Sequence, residues 1–158
     1  MVKSMTSERN SVSKRWRSPV VLIRLSSILF VGLMIGHMSA YPWTSTYVLK
    51  ETKLVELMKD IPFEFMGERS TYWALYFGWG LLVGILLLTL AIVLWLLSDL
   101  ANIGSRNVGA ISGIVSATSL VAAFLSFRFF YIPPFLFYLV ICVIMLTAAV
   151  QLLRPHNE

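Results

Sequence analysis

Cysteine is nearly missing from this chain of 158 residues: Cys142 is the only one, so no disulfide framework can hold the fold. Charge is scarce too, at 13% Asp, Glu, Lys and Arg against about 25% in an ordinary soluble domain. Histidine occurs twice, at His37 and His156, too few for zinc-ligand spacing. There is no Gly-rich phosphate loop and no nucleophile motif, so the sequence leans away from an enzyme of known mechanism, and no metal or cofactor is expected. What fills the space is apolar: 58% of residues are hydrophobic and the mean hydropathy is +0.78. A chain this short would leave much of its surface in water, and it has too little polar surface to cover it. Lipid must be the solvent.

A spanning helix needs about 20 mostly apolar residues. That length predicts four spans, at about 20–41, 72–98, 107–127 and 132–153, inside a single membrane domain covering 20–153. Arg24 interrupts the first near its start, where a long side chain can snorkel to the headgroups. Pro133 and Pro134 open the fourth, tolerable in a first turn whose amides have no intrahelical partner. Short connections after the second and third spans make neighbours antiparallel. The fold class expected is therefore all-α, an integral membrane four-helix bundle.

The formal charge of +5 does not point to nucleic acid, because its distribution follows the membrane. Lys3, Arg9, Lys14, Arg15 and Arg17 crowd the tail at 1–19, Arg106 follows the second span, and Arg154 opens the tail at 154–158. The long loop balances Lys50, Lys53, Lys59 and Arg69 with Glu51, Glu56, Asp60, Glu64 and Glu68. By the positive-inside rule both termini are cytoplasmic, and the basic tail touches anionic lipid. Met38 occupies a position where signal-peptide cleavage after Ala40 would need a small side chain, so the first segment reads as a retained span.

The outer loop predicts an amphipathic helix over about 46–61, because Leu54, Leu57, Met58 and Ile61 recur at helical spacing without Gly or Pro. Glu56 and Asp60 form a like-charge pair, so the apolar stripe must bury against something, either the membrane interface or the mouth of the bundle. Small residues spaced four apart mark helix packing: Gly32 and Gly36 in the first span, Gly80 and Gly84 in the second, and Ser105, Gly109, Gly113 and Ala117 in the third. Packing within the bundle is the first reading of these stripes; the alternative sets the third against a second copy or a membrane-protein partner.

Candidate site residues gather near the outer ends of the first two spans. His37 and Tyr41 lie one turn apart; Arg69, Tyr72 and Tyr76 lead into the second span, with Ser70 expected as its N-cap. A histidine inside a span needs a hydrogen-bond partner, and Tyr76 or a loop carbonyl is expected to supply it. At the inner ends, a pair between Arg24 and Asp99 would relieve a partly buried guanidinium, with Arg106 as the rival partner for Asp99.

Gly36-His37 and the run from Gly67 to Leu81, Gly-Glu-Arg-Ser-Thr-Tyr-Trp-Ala-Leu-Tyr-Phe-Gly-Trp-Gly-Leu, resemble a family of small, uncharacterised four-span bacterial inner-membrane proteins. The resemblance covers about half the chain, and Met38-Ser39-Ala40 depart from the Thr and Gly that usually follow the histidine there. It implies a bacterial inner-membrane setting and brings no catalytic residue with it. Other small membrane families fail at named residues. A thiol reductase needs a cysteine pair, a haem bundle needs a second intramembrane ligand beside His37, and a multidrug exporter needs an embedded carboxylate, whereas Asp99 ends a span. Three readings stay open. One is a protein binding a small apolar or lipid-like molecule at the outer end through His37, Tyr41, Arg69, Tyr72 and Tyr76. Another is an accessory or assembly subunit, and the third a small transporter or membrane enzyme using His37.

Overall fold

The computed structural model describes residues 18–40, 49–103 and 105–154. Among these residues five α-helices and one β-hairpin follow in order: α1 Pro19–Ala40, α2 Leu49–Asp60, β1 Pro62–Phe65, β2 Glu68–Thr71, α3 Tyr72–Leu100, α4 Arg106–Phe129 and α5 Ile132–Leu153. α1, α3, α4 and α5 are long and apolar enough to cross a membrane, so the chain is an essentially all-α, multi-pass membrane protein. Each expected span agrees with its helix to within about two residues, as hydrophobic length alone should manage.

The described residues form two compact units, 18–33 with 89–154 and Met34–Leu88. In the first, α4 packs along α5. The buried face of α4 runs Gly109, Ser112, Ser116, Ser119, Ala123 and Ser126, alternating steps of three and four. That is the 3.5-residue seam of a left-handed helix pair, built here from small side chains. The stripe expected from strict spacing of four drifts off this seam, since four residues turn a helix about 40° too far. Gly109 stays on it and Gly113 lies half-buried at its edge, but Ala117 faces outward. Close approach is real where the glycine demands it: a Cβ on Gly109 would stand 2.9 Å from Leu153 Cγ and 3.0 Å from Leu152 Cβ. The Ser116 hydroxyl donates across the seam to the Cys142 carbonyl at 2.9 Å.

The same unit joins α1 to both neighbours. Ser27 Oγ donates to the Ala91 carbonyl of α3 at 2.6 Å, and Phe30 meets the edge of Tyr138 on α5 at 6.3 Å between centroids. Gly32 lets α5 come close, with Phe137 only 3.1 Å from where a Cβ would be. Ile23, Leu94, Ile141 and Met145 fill the centre, fully buried. Buried serines accompany them, a composition that lets helix backbones approach and gives hydroxyls local acceptors.

The second unit is thin. Among its described residues only Gly80, Gly84 and Leu87 are buried. The expected loop helix is present over Leu49–Asp60, residues 46–48 lying outside the described residues, and its apolar stripe is covered only in part. Leu54, Leu57 and Ile61 are exposed, while Thr52, Val55 and Met58 are half-buried, because β2 packs against the helix and takes that side instead. The hairpin was not expected at all. Pro62 pairs with Thr71, Phe63 with Ser70, Glu64 with Arg69 and Phe65 with Glu68, around a two-residue turn. Met66 and Gly67 hold φ of 54° and 86°, the left-handed conformations that such a turn requires at both positions.

Candidate functional site

Two polar constellations stand out, one in each unit. In the first unit Arg24 points its guanidinium along α3. Nη2 meets Asp99 Oδ1 at 2.7 Å and Nε donates to Ser98 Oγ at 3.0 Å. The guanidinium carbon lies 5.1 Å from the centroid of the Trp95 ring. Ser98 can accept because its own proton goes to the Trp95 carbonyl, 2.6 Å away. The expected pairing of Arg24 with Asp99 is thus present. Ser98 and Trp95 were missed, although their spacing along α3 from Asp99 places them on adjoining faces of one turn.

In the second unit His37 finds its partner in a backbone. Nε2 lies 2.9 Å from the Gly80 carbonyl, which can only accept, so Nε2 carries the proton and a neutral ring presents Nδ1 as its acceptor. The sequence pointed to Tyr76 or a loop carbonyl; the acceptor at Nε2 is a carbonyl of the α3 helix. A helix carbonyl is reachable here because Gly84, the residue one turn on whose side chain would lean over it, has none. One turn on, a Cβ at Gly84 would lie 2.6 Å from the thioether sulfur of Met38. The glycine pair therefore forms a groove in α3 that seats two consecutive side chains of α1, His37 and Met38. Gly36 has no comparable neighbour: among the described residues nothing lies within 4 Å of where its Cβ would be.

Above that groove the start of α3 is aromatic. Thr71, not Ser70, caps the helix, its Oγ1 accepting from the Ala74 amide at 3.2 Å. Ser70 is held in the hairpin opposite Phe63, which moves the cap one residue on. Tyr72 is exposed and leans on Phe63 with ring centroids 5.2 Å apart. Trp73 contacts both Tyr76 and Phe77 at 6.1 Å, and the Lys59 ammonium sits 5.3 Å from its ring centroid. That cation was not foreseen; it comes from the last turn of α2, which the sequence placed no nearer to Trp73 than to any other residue. Arg69 is exposed on β2, opposite Glu64. Tyr41 lies outside the described residues.

The arrangement offers hydrogen bonding at His37, apolar rings one and two turns away on α3, and two cations nearby in sequence. Among the described residues no group of three or more His, Cys, Asp or Glu could hold a metal ion. Compared with family models, with curated proteins and with solved structures, the chain finds no match.

Proposed function

We propose that this chain is a non-enzymatic protein of a bacterial inner membrane, both termini cytoplasmic, that holds a small apolar or lipid-like molecule at its outer end. The reading is supported above all by the first turns of α3, where Tyr72 and Tyr76 stay exposed beside Trp73 although the unit is folded. Apolar walls with a few convergent polar groups are the usual form of a ligand site. His37 lies at the foot of those rings, and Arg69 and Lys59 are suited to an anionic headgroup. The lipids of the membrane itself are the first candidates for that ligand. The accessory-subunit alternative leans on the Ser105, Gly109, Gly113 and Ala117 stripe of α4; Gly109 is covered within the chain by α5, and Ala117 faces outward.

Native mass spectrometry of the purified protein is the test. We expect a retained molecule in the wild type that Arg69→Ala and Tyr76→Phe each release with the helical content unchanged, and that His37→Ala releases at an added cost of about 1 kcal/mol for the lost Gly80 bond. A bare monomer, or retention unchanged in all three variants, overturns the reading. Impermeant thiol labelling in sealed cells, in a Cys142→Ser background, should reach Glu64→Cys and miss Asn107→Cys; the reverse pattern refutes the orientation.

A further inference from the structure

A two-residue hairpin turn with φ positive at both positions favours Asn, Asp or Gly. This chain puts Met66 at the first of them, an unbranched apolar residue in a conformation that L side chains rarely adopt. Its side chain is 89% exposed and that of the preceding Phe65 is 68% exposed. Neither burial nor turn chemistry explains this choice. Backbone strain at a fully presented side chain points towards what that side chain meets.

We infer that Phe65 and Met66 form an apolar tip that inserts into the lipid interface on the hairpin's side of the membrane. Three observations make lipid the occupant. The hairpin is continuous with a membrane span, since Thr71 both ends β2 and caps α3. It also folds beside that span: Phe63 stacks on Tyr72 of its first turn, and Lys59, three residues before Pro62, lies on Trp73. Finally, distance permits contact. α3 has 29 residues, about 43 Å against a hydrocarbon thickness of about 30 Å, leaving a surplus of about 13 Å to divide between its ends. The four residues of β2 reach about 13 Å, enough to return the tip to the headgroup layer.

Charge then specifies the kind of surface. From Leu49 to Thr71 five carboxylates (Glu51, Glu56, Asp60, Glu64, Glu68) stand against four cations (Lys50, Lys53, Lys59, Arg69), a balance of one negative charge. Attraction to anionic lipid is therefore not the driving force, and a neutral, zwitterionic bilayer should suffice. Leu54, Leu57 and Ile61, within about 60° of one another around α2, extend the same apolar character to the neighbouring helix. The inference does not need the ligand reading: the tip contacts bulk lipid whether or not a molecule binds near His37.

The experiment attaches a polarity-sensitive fluorophore to Met66→Cys, and separately to Phe65→Cys, in a Cys142→Ser background, with Glu64→Cys as the control. The full chain is placed in nanodiscs of phosphatidylcholine. Labels at 65 and 66 should emit to the blue of the label at 64 and be quenched several-fold more strongly by brominated acyl chains, with no change on raising salt. Aqueous iodide reaching all three labels equally overturns the inference. So does shielding of Met66→Cys in native membranes that vanishes in nanodiscs of the pure protein, which assigns the tip to a protein partner.

Discussion

Removing the Arg24 side chain should destabilise the protein more than removing its carboxylate partner, and the geometry says by how much. α1 and α3 run antiparallel, and the Ser27 to Ala91 hydrogen bond fixes their register. Three residues earlier on α1, Arg24 should stand level with Leu94, three residues later on α3. Its head instead reaches Ser98 and Asp99, four to five residues further, which is about 6 to 7.5 Å and close to the length of the side chain. Arg24 is thus stretched towards the helix end, as snorkelling requires. The ion pair itself is worth little, about 0.5 kcal/mol, because the two side chains remain 42% and 60% exposed. The Ser98 hydrogen bond adds about 1 kcal/mol and the Trp95 contact about 0.5 to 1 kcal/mol. Asp99→Asn should therefore cost about 0.5 kcal/mol. Arg24→Lys, which keeps the charge but loses Nε and the planar face, should cost about 1 to 1.5 kcal/mol, and Arg24→Ala about 2 kcal/mol. Reversible unfolding from mixed micelles by SDS titration reads all three, and the Arg24/Asp99 double-mutant cycle should give a coupling of about 0.5 kcal/mol. If Asp99→Asn proves as damaging as Arg24→Ala, the carboxylate is the main anchor and the argument from exposure fails.

The α4 and α5 seam makes two further predictions by the same titration. Gly109→Ala should cost about 1 to 3 kcal/mol because Leu152 Cβ cannot move without its helix, whereas Gly84→Ala should cost less than about 1 kcal/mol, the Met38 thioether being free to rotate away; equal losses would refute the distinction. Ser116→Ala should lose about 1 kcal/mol with its bond to the Cys142 carbonyl, while Ser112→Ala, whose buried hydroxyl finds no partner among the described residues, should be neutral or stabilising. A loss at Ser112 as large as at Ser116 would mean that its hydroxyl is satisfied after all.

Much of this fold was legible because lipid imposes a length rule that needs no tertiary information. Four runs of apolar residues of about the right length gave four spans, and the same rule placed Arg24 and Asp99 at neighbouring helix ends, where they meet. The α4 seam was half legible. Small residues marked the helix, but strict spacing of four selected Gly113 and Ala117, whereas packing along α5 selected Ser112 and Ser116. The rule failed at the hairpin, for a local reason. Phe63 and Phe65 alternate with polar residues as a strand should, yet the segment is short and its turn reads Met-Gly, without the Asn or Asp that announces a tight hairpin. With the hairpin missed, only part of the cover on α2 was foreseen: Met58 of the expected stripe is half-buried, and so are Thr52 and Val55, while Leu54, Leu57 and Ile61 stay exposed.

His37 shows why a partner can be demanded by sequence and still not be named by it. Burying an imidazole requires an acceptor or donor for its ring nitrogens, so the need was plain. Side chains come first to mind as partners because they differ from residue to residue, and Tyr76 was the natural candidate. Every helix residue also carries a carbonyl with a second lone pair, normally screened by side chains on the approaching face. A glycine removes that screen. Gly84, one turn on from Gly80, therefore acts twice, seating Met38 and leaving open the Gly80 oxygen that meets His37 at 2.9 Å. A Cβ there would also stand 3.9 Å from His37 Cδ2. A small-residue pair facing a polar residue on a neighbouring span is thus a backbone acceptor as well as a packing motif, and Gly84→Ala should weaken the hold on His37 even where the Met38 thioether rotates away from the added methyl.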